Sequence, residues 1–188
     1  ARYIIKAYPE VQYYDFKEVV AKAQEGTNRD EKIVVVYQGG LHPKGEYTIP
    51  AGVTLLVPGI GPGDAHGSTE YRCVTEALQE EDFIITENWT ASHYKCFRKL
   101  TIEDGTRLDV EAGANICVYA RLLSYSNYYL AFPYHYGHLE LGQDAVINVK
   151  DGGKLFAWGY VTNSETTKVS EHNYKEVGRV NAEPGSTI

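Results

Sequence analysis

The chain has no methionine, three cysteines and two tryptophans in 188 residues, and nowhere does it cluster its lysines and arginines. Each shortage removes a class of function. Eighteen basic residues against 25 acidic ones leave a formal charge of −7. A nucleic-acid partner is not expected, because neutralising phosphates takes a concentrated Lys/Arg surface. No apolar run approaches the ~20 residues that a membrane-crossing helix needs, so membrane insertion is not expected. Cys73, Cys96 and Cys117 are odd in number and lack the C-x-x-C spacing of a zinc site. Cys96 precedes Cys117 by 21 residues. Buried wall thiols are the expectation, and a Cys96–Cys117 disulfide the alternative.

What is abundant is one short phrase, written four times. Tyr47-Thr-Ile49-Pro-Ala-Gly52-Val-Thr-Leu55-Leu-Val57 lines up on Leu100-Thr-Ile102-Glu-Asp-Gly105-Thr-Arg-Leu108-Asp-Val110 without a gap. Moving 39 residues on from the second copy reaches Leu139-Glu-Leu141 and Ile147-Asn-Val149. A partial copy, Val180-Asn-Ala182-Glu-Pro-Gly185-Ser-Thr-Ile188, lines up on Leu108 to Ile116. Self-similarity of this kind marks a solenoid, whose units bury their apolar faces on one another.

Inside the longest copies the apolar pairs recur every eight residues: Leu100/Ile102, Leu108/Val110, Ile116/Val118, then Leu139/Leu141, Ile147/Val149, Leu155/Ala157. Apolar-x-apolar is a very short strand with one buried face. Thr101, Asp109, Glu140 and Asn148 between them would face solvent. Gly113 and Gly152 fall at equivalent corners, where the chain needs a positive φ or a close turn. Three short strands per coil of roughly 20–25 residues predict an all-β, right-handed parallel β-helix. The alternative is a β-sandwich or jelly roll, whose strands also come at regular spacing.

The pattern predicts a capping helix over 15–26, followed by β-coils over 33–188, in a single domain spanning 1–188. Asp15-Phe-Lys-Glu18 has the capping-box form. Phe16, Val19, Val20 and Ala23 fall on one helical face, and Gly26 is a stop. Such a helix would cover the open first coil, with Ile33-Val-Val-Val36-Tyr37 as the first buried strand. The last residues begin a new repeat and stop at Ile188, which, with the missing methionine, suggests a piece of a longer polypeptide with flanking domains.

The leading candidate site is the segment Ser124 to Gly137. It carries Tyr125, Tyr128, Tyr129, Phe132, Tyr134 and Tyr136, with His135 and Asn127 among them. Tyrosine offers a large, stiff contact area with a polar tip, which suits binding surfaces. The five tyrosines either form a strip for a glycan or a surface protein, or pack over the solenoid flank. His135-x-x-His138 has helical metal spacing in a stretch that reads as extended, without carboxylate or thiol company, so no metal site is expected. Gly59 to Gly67 is glycine-rich but lacks the Lys-Ser/Thr and the following helix of a phosphate loop. Glu80-Glu81-Asp82 reads as a solvated turn rather than a calcium site, and Asn88-Trp-Thr90 matches the glycosylation acceptor pattern. No acid–base set recurs in register, so no catalysis and no cofactor are expected.

The string Tyr47 to Pro58 with its repeat at 100–110, and Tyr136-Gly-His-Leu-Glu-Leu141 running on to Gly153-Lys-Leu-Phe-Ala-Trp-Gly-Tyr160, carry a family resemblance. Together they resemble β-helical regions of large cell-surface proteins of gut clostridia and related Gram-positive bacteria. The resemblance covers about residues 15 to 188, with Ala157-Trp-Gly-Tyr160 as its most specific phrase. It implies a secreted or wall-attached stalk or adhesive module, and it brings no catalytic residues. The tyrosine-rich segment and the cysteines depart from the pattern. A carbohydrate-binding or carbohydrate-processing module on the same fold is the alternative, and a phage or toxin shaft a further one.

Overall fold

A computed structural model describes residues 2–58, 69–71, 99–118, 121–123, 137–157, 159–163 and 178–188. The chain is mostly β with one short N-terminal helix. An antiparallel hairpin comes first, β1 (Arg2–Ile5) and β2 (Tyr8–Tyr13), then α1 (Phe16–Gln24), a 3-10 turn (Asp30–Lys32) and the long strand β3 (Ile33–Leu41). Short strands follow: β4 (Glu46–Ile49), β5 (Thr54–Val57), β6 (Thr69–Tyr71), β7 (Lys99–Ile102), β8 (Arg107–Val110), β9 (Asn115–Val118) and β10 (Arg121–Leu123). Then come β11 (His138–Leu141), β12 (Val146–Val149), β13 (Lys154–Ala157), β14 (Tyr160–Asn163) and β15 (Arg179–Ala182).

These strands stack in three parallel columns. The first runs from Gln38–Leu41 of β3 through β7 and β11 to β14. The second runs β4, β8, β12, β15. The third runs from Ile33–Val35 of β3 through β5 and β9 to β13, and ends on a single bridge from Lys154 to Thr187. Strand β3 belongs to two columns at once and joins them into one nine-stranded sheet. Passing from column to column, the chain lays down successive rungs, β7-β8-β9 and then β11-β12-β13. This is the arrangement of an open β-solenoid.

The 39-residue step is the rung repeat: Leu139 lies beside Leu100, Ile147 beside Leu108 and Leu155 beside Ile116. The first copy sits elsewhere than its alignment implies. Tyr47 pairs with Leu108 and Leu55 with Ile116, one column further along than Leu100 and Leu108. Every arm carries the same apolar-x-apolar phrase after the same kind of corner, so likeness of sequence does not identify the column.

The corners explain the glycines. Hydrogen bonds of the i to i+3 kind close them, as in Val53 N–H to Pro50 O at 3.1 Å and Ala114 N–H to Glu111 O at 2.9 Å. Gly52, Gly113, Gly152 and Gly185 hold the third position with φ of 84, 79, 79 and 87°, which marks a type II turn. Their backbones also bond from rung to rung. Gly52 N–H donates to Gly113 O, Gly113 N–H to Gly152 O and Gly152 N–H to Gly185 O, at 2.9 to 3.1 Å.

Inside, Ile49, Leu55, Leu100, Ile102, Leu108, Val110, Ile116, Val118, Leu139, Ile147 and Val149 are fully buried in one continuous core. Each such side chain stabilises the fold by about 1.5–3 kcal/mol relative to exposure. Helix α1 closes the first end of this core, as its apolar face demands. Phe16, Val19, Val20 and Ala23 are buried, and Asp15 caps the helix by accepting from Glu18 N–H at 2.9 Å. The Phe16 ring meets Tyr3 and Tyr47 edge-on at 5.6 and 5.9 Å.

Candidate functional site

The tyrosines proposed from sequence, Tyr125, Tyr128, Tyr129, Tyr134 and Tyr136, lie outside the described residues, as do His135, Cys73, Cys96, Gly59 to Gly67, the Glu80–Asp82 cluster and Asn88. What the structure places is their frame. Two long excursions, 58–98 and 119–137, leave the same corner, between the third column and the first, on consecutive rungs. Strands β6 and β10 pair antiparallel between them, with Tyr71 opposite Arg121 and Thr69 opposite Leu123. On the next rung β13 ends at Ala157 and β14 begins at Tyr160.

The excursion that carries the tyrosines returns to the first column at His138. There the rung repeat sets Lys99 beside His138 and Thr101 beside Glu140, while Tyr160 and Thr162 continue the rows. Lys99 forms an ion pair with Glu140. His138 Nε2 lies 2.6 Å from Thr162 Oγ1, within hydrogen-bond distance. Partial burial holds the His138 pKa below its ordinary value, and the Lys99 charge adds to this, with Glu140 opposing. His138 is therefore half-buried and hydrogen-bonded.

A hydroxyl bonded to an imidazole is the starting arrangement for nucleophile activation. Such a pair also needs donors converging on a developing charge. The nearest cation of the column, Lys99, is instead held by Glu140.

On the second column the outward residues satisfy one another. Asn148 Nδ2 donates to Asp109 Oδ1 at 2.9 Å, and Asn181 Nδ2 donates to Asn148 Oδ1 at 3.1 Å. Arg107 bridges Glu46 at 3.0 Å and Asp109 at 3.3 Å. Asp109 is consequently buried, not solvent-facing as its place in the alternation suggests. On the third column even the outward row is apolar and buried: Ile4, Val35, Leu56 and Cys117 lie in register across β1, β3, β5 and β9.

A feature with no repeat to announce it is a groove of about 370 Å³ between the hairpin and α1. Ile5, Tyr8, Val11 and Tyr13 line one side, Lys22, Glu25 and Glu31 the other, and Tyr8 Oη donates to Glu31 Oε2 at 3.2 Å. Among the described residues no group of three or more metal-ligating side chains converges, and no helix is long and apolar enough to cross a membrane. No protein family, curated protein or solved structure matches the chain.

Proposed function

We propose that the chain is a right-handed parallel β-helix serving as a non-catalytic structural and adhesive module of a bacterial cell-surface protein, extracellular or wall-attached. The observation that carries this reading is the in-register stack itself. It has a continuous apolar interior, one end covered by α1, and outward polar side chains largely engaged with their neighbours on adjacent rungs. Such a body extends and presents; the excursions at one corner are what it presents. In this reading Tyr125, Tyr128, Tyr129, Tyr134 and Tyr136 form the ligand-binding strip, with a glycan or a surface protein as partner.

A glycan-array screen of the purified chain, with intrinsic fluorescence read on any hit, tests the proposal. Saturable binding that is lost in Tyr128→Ala and Tyr134→Ala, with the thermal midpoint within a degree or two, supports an adhesive strip. Lowered stability in the same variants and no retained glycan point to packing tyrosines and a purely structural role. The His138–Thr162 contact favours a second reading, a carbohydrate-processing module. That reading requires product release from a polymer that stops in a folded His138→Gln variant.

A further inference from the structure

The groove between the β1–β2 hairpin and α1 is lined by residues between Ile5 and Glu31, all in one continuous described stretch. Its volume of about 370 Å³ falls within the roughly 300–1,000 Å³ usual for small-ligand pockets. The hairpin side is apolar and accessible. Tyr8 and Val11 are each 43% exposed, and half-buried Tyr13 lies on the same side.

The other side is charged, and its fixed point is Glu31. Glu31 Oε1 accepts from Thr27 Oγ1 at 3.2 Å and from Asn28 N–H at 3.4 Å, while Oε2 accepts from Tyr8 Oη at 3.2 Å. The Glu31 N–H in turn donates to Asn28 Oδ1 at 3.0 Å. Gly26 makes room for this arrangement, since a Cβ there would lie 2.7 Å from Glu31 Cβ. All three donors to the carboxylate are neutral. The cations nearby are committed elsewhere: Lys6 and Arg29 to Asp30 at 3.4 and 3.3 Å, Lys22 to Glu25 at 3.9 Å, and Lys32 to Gln24 O at 3.1 Å. Among the described residues, then, no cation answers Glu31. A carboxylate has about four acceptor positions, so Oε2, with a single donor, keeps one free. The end of α1 adds to the imbalance. Glu25 and Gly26 border the groove where the helix stops, and a helix C-terminus carries partial negative charge.

We propose that this groove binds a small organic cation, a protonated amine on a short apolar body. The ammonium donates to Glu31 Oε2, and the body lies on Tyr8, Val11 and Tyr13. Each part of that ligand answers one observation. A neutral apolar molecule would cover the fixed carboxylate and strip it of water without compensation, which is costly. An anion meets Glu25, Glu31 and the helix end, all of the wrong sign. A cation gains from the carboxylate and from the tyrosine rings together. It must also carry an N–H, because the free position on Oε2 is a hydrogen-bond acceptor that a quaternary ammonium cannot use. The inference rests on the cap alone and does not depend on the adhesive reading.

The test uses the full chain at neutral pH and titration calorimetry with phenethylammonium as the probe. Its matched controls are 2-phenylethanol, which lacks the charge, and trimethylphenethylammonium, which lacks the N–H. Expected is saturable binding of the probe, with both controls weaker by about tenfold or more, the loss of one charged hydrogen bond. Glu31→Gln should weaken the probe by a similar factor and leave 2-phenylethanol unchanged. Val11→Lys, at an exposed position, sets a competing cation in the groove and should also weaken the probe, which keeps the test decisive if Glu31→Gln folds poorly. No saturable binding of the probe, either control binding as well as the probe, or a probe indifferent to Val11→Lys overturns the proposal. So does tighter binding of acetyl-lysine methylamide than of the probe, since the occupant would then be a lysine side chain of a protein.

Discussion

Replacing Gly113 by alanine isolates what the corner conformation is worth. Gly113 has φ of 79°, and a Cβ built there lies 3.6 Å from the Ala51 Cβ, an ordinary contact. Nothing is in the way, so the cost is conformational: an L-residue in the left-handed region loses about 1–2 kcal/mol. For a chain of this size each kcal/mol moves the thermal midpoint by about 2–4 °C, so a drop of about 2–8 °C is expected. Asparagine tolerates the left-handed region better, and the chain sets its own precedent. Asp144, 39 residues after Gly105 and at the same corner one rung on, has φ of 55°. Gly113→Asn should therefore lose less than Gly113→Ala. Gly153→Ala provides the contrast: its Cβ would sit 2.6 Å from Val110 O, so backbone must move and the loss should exceed that at Gly113. Circular dichroism melts of the three variants decide the matter. Alanine at 113 as stable as glycine, or more stable than asparagine, refutes the reasoning.

Leu108→Ala removes a fully buried side chain from the middle rung and should cost about 2–5 kcal/mol, read as a lower urea midpoint. Asp15→Ala deprives Glu18 N–H of its acceptor and should cost about 1 kcal/mol, whereas Asp15→Ser should restore most of it. His138 binds its proton less readily folded than unfolded, because burial lowers its pKa. Its contribution is intact at neutral pH and is lost as pH falls below about 6.5 toward the folded value. His138→Gln should shrink the stability difference between pH 8 and pH 5, and an NMR titration of His138 with a midpoint above 6.5 would contradict this.

The columns were legible from sequence where two periods coincide. The alternation of Leu100/Ile102 with Thr101 names the buried side, and the 39-residue offset names the neighbour, so Leu100–Leu139 and Leu108–Ile147 pair as read. Helix α1 was legible too, because Asp15, the Phe16–Ala23 face and Gly26 agree on its bounds. Tyr47 was misplaced by one column because arms of equal chemistry are interchangeable to an alignment. The hairpin of β1 and β2 was missed because Tyr3, Ile4 and Ile5 are buried on both sides, which leaves no alternation to detect. At the candidate site the offset already set Lys99 beside His138. Thr162 was out of reach, since it comes 24 residues after His138 and so falls outside the 39-residue offset. Asp109 was read as solvated because alternation reports direction, not the Arg107 and Asn148 side chains that cover it.

The corner where 58–98 and 119–137 depart has a consequence for how this molecule can be altered. Strands in parallel register flank each excursion, β5 and β7 the first and β9 and β11 the second, so the rungs set the spacing of its ends whatever the length between them. One rung later β13 ends at Ala157 and β14 already begins at Tyr160. Short and long crossings thus coexist at one site on an unchanged scaffold. That makes the corner a splice point, where segments can be shortened, exchanged or grafted while strand registry on either side is kept.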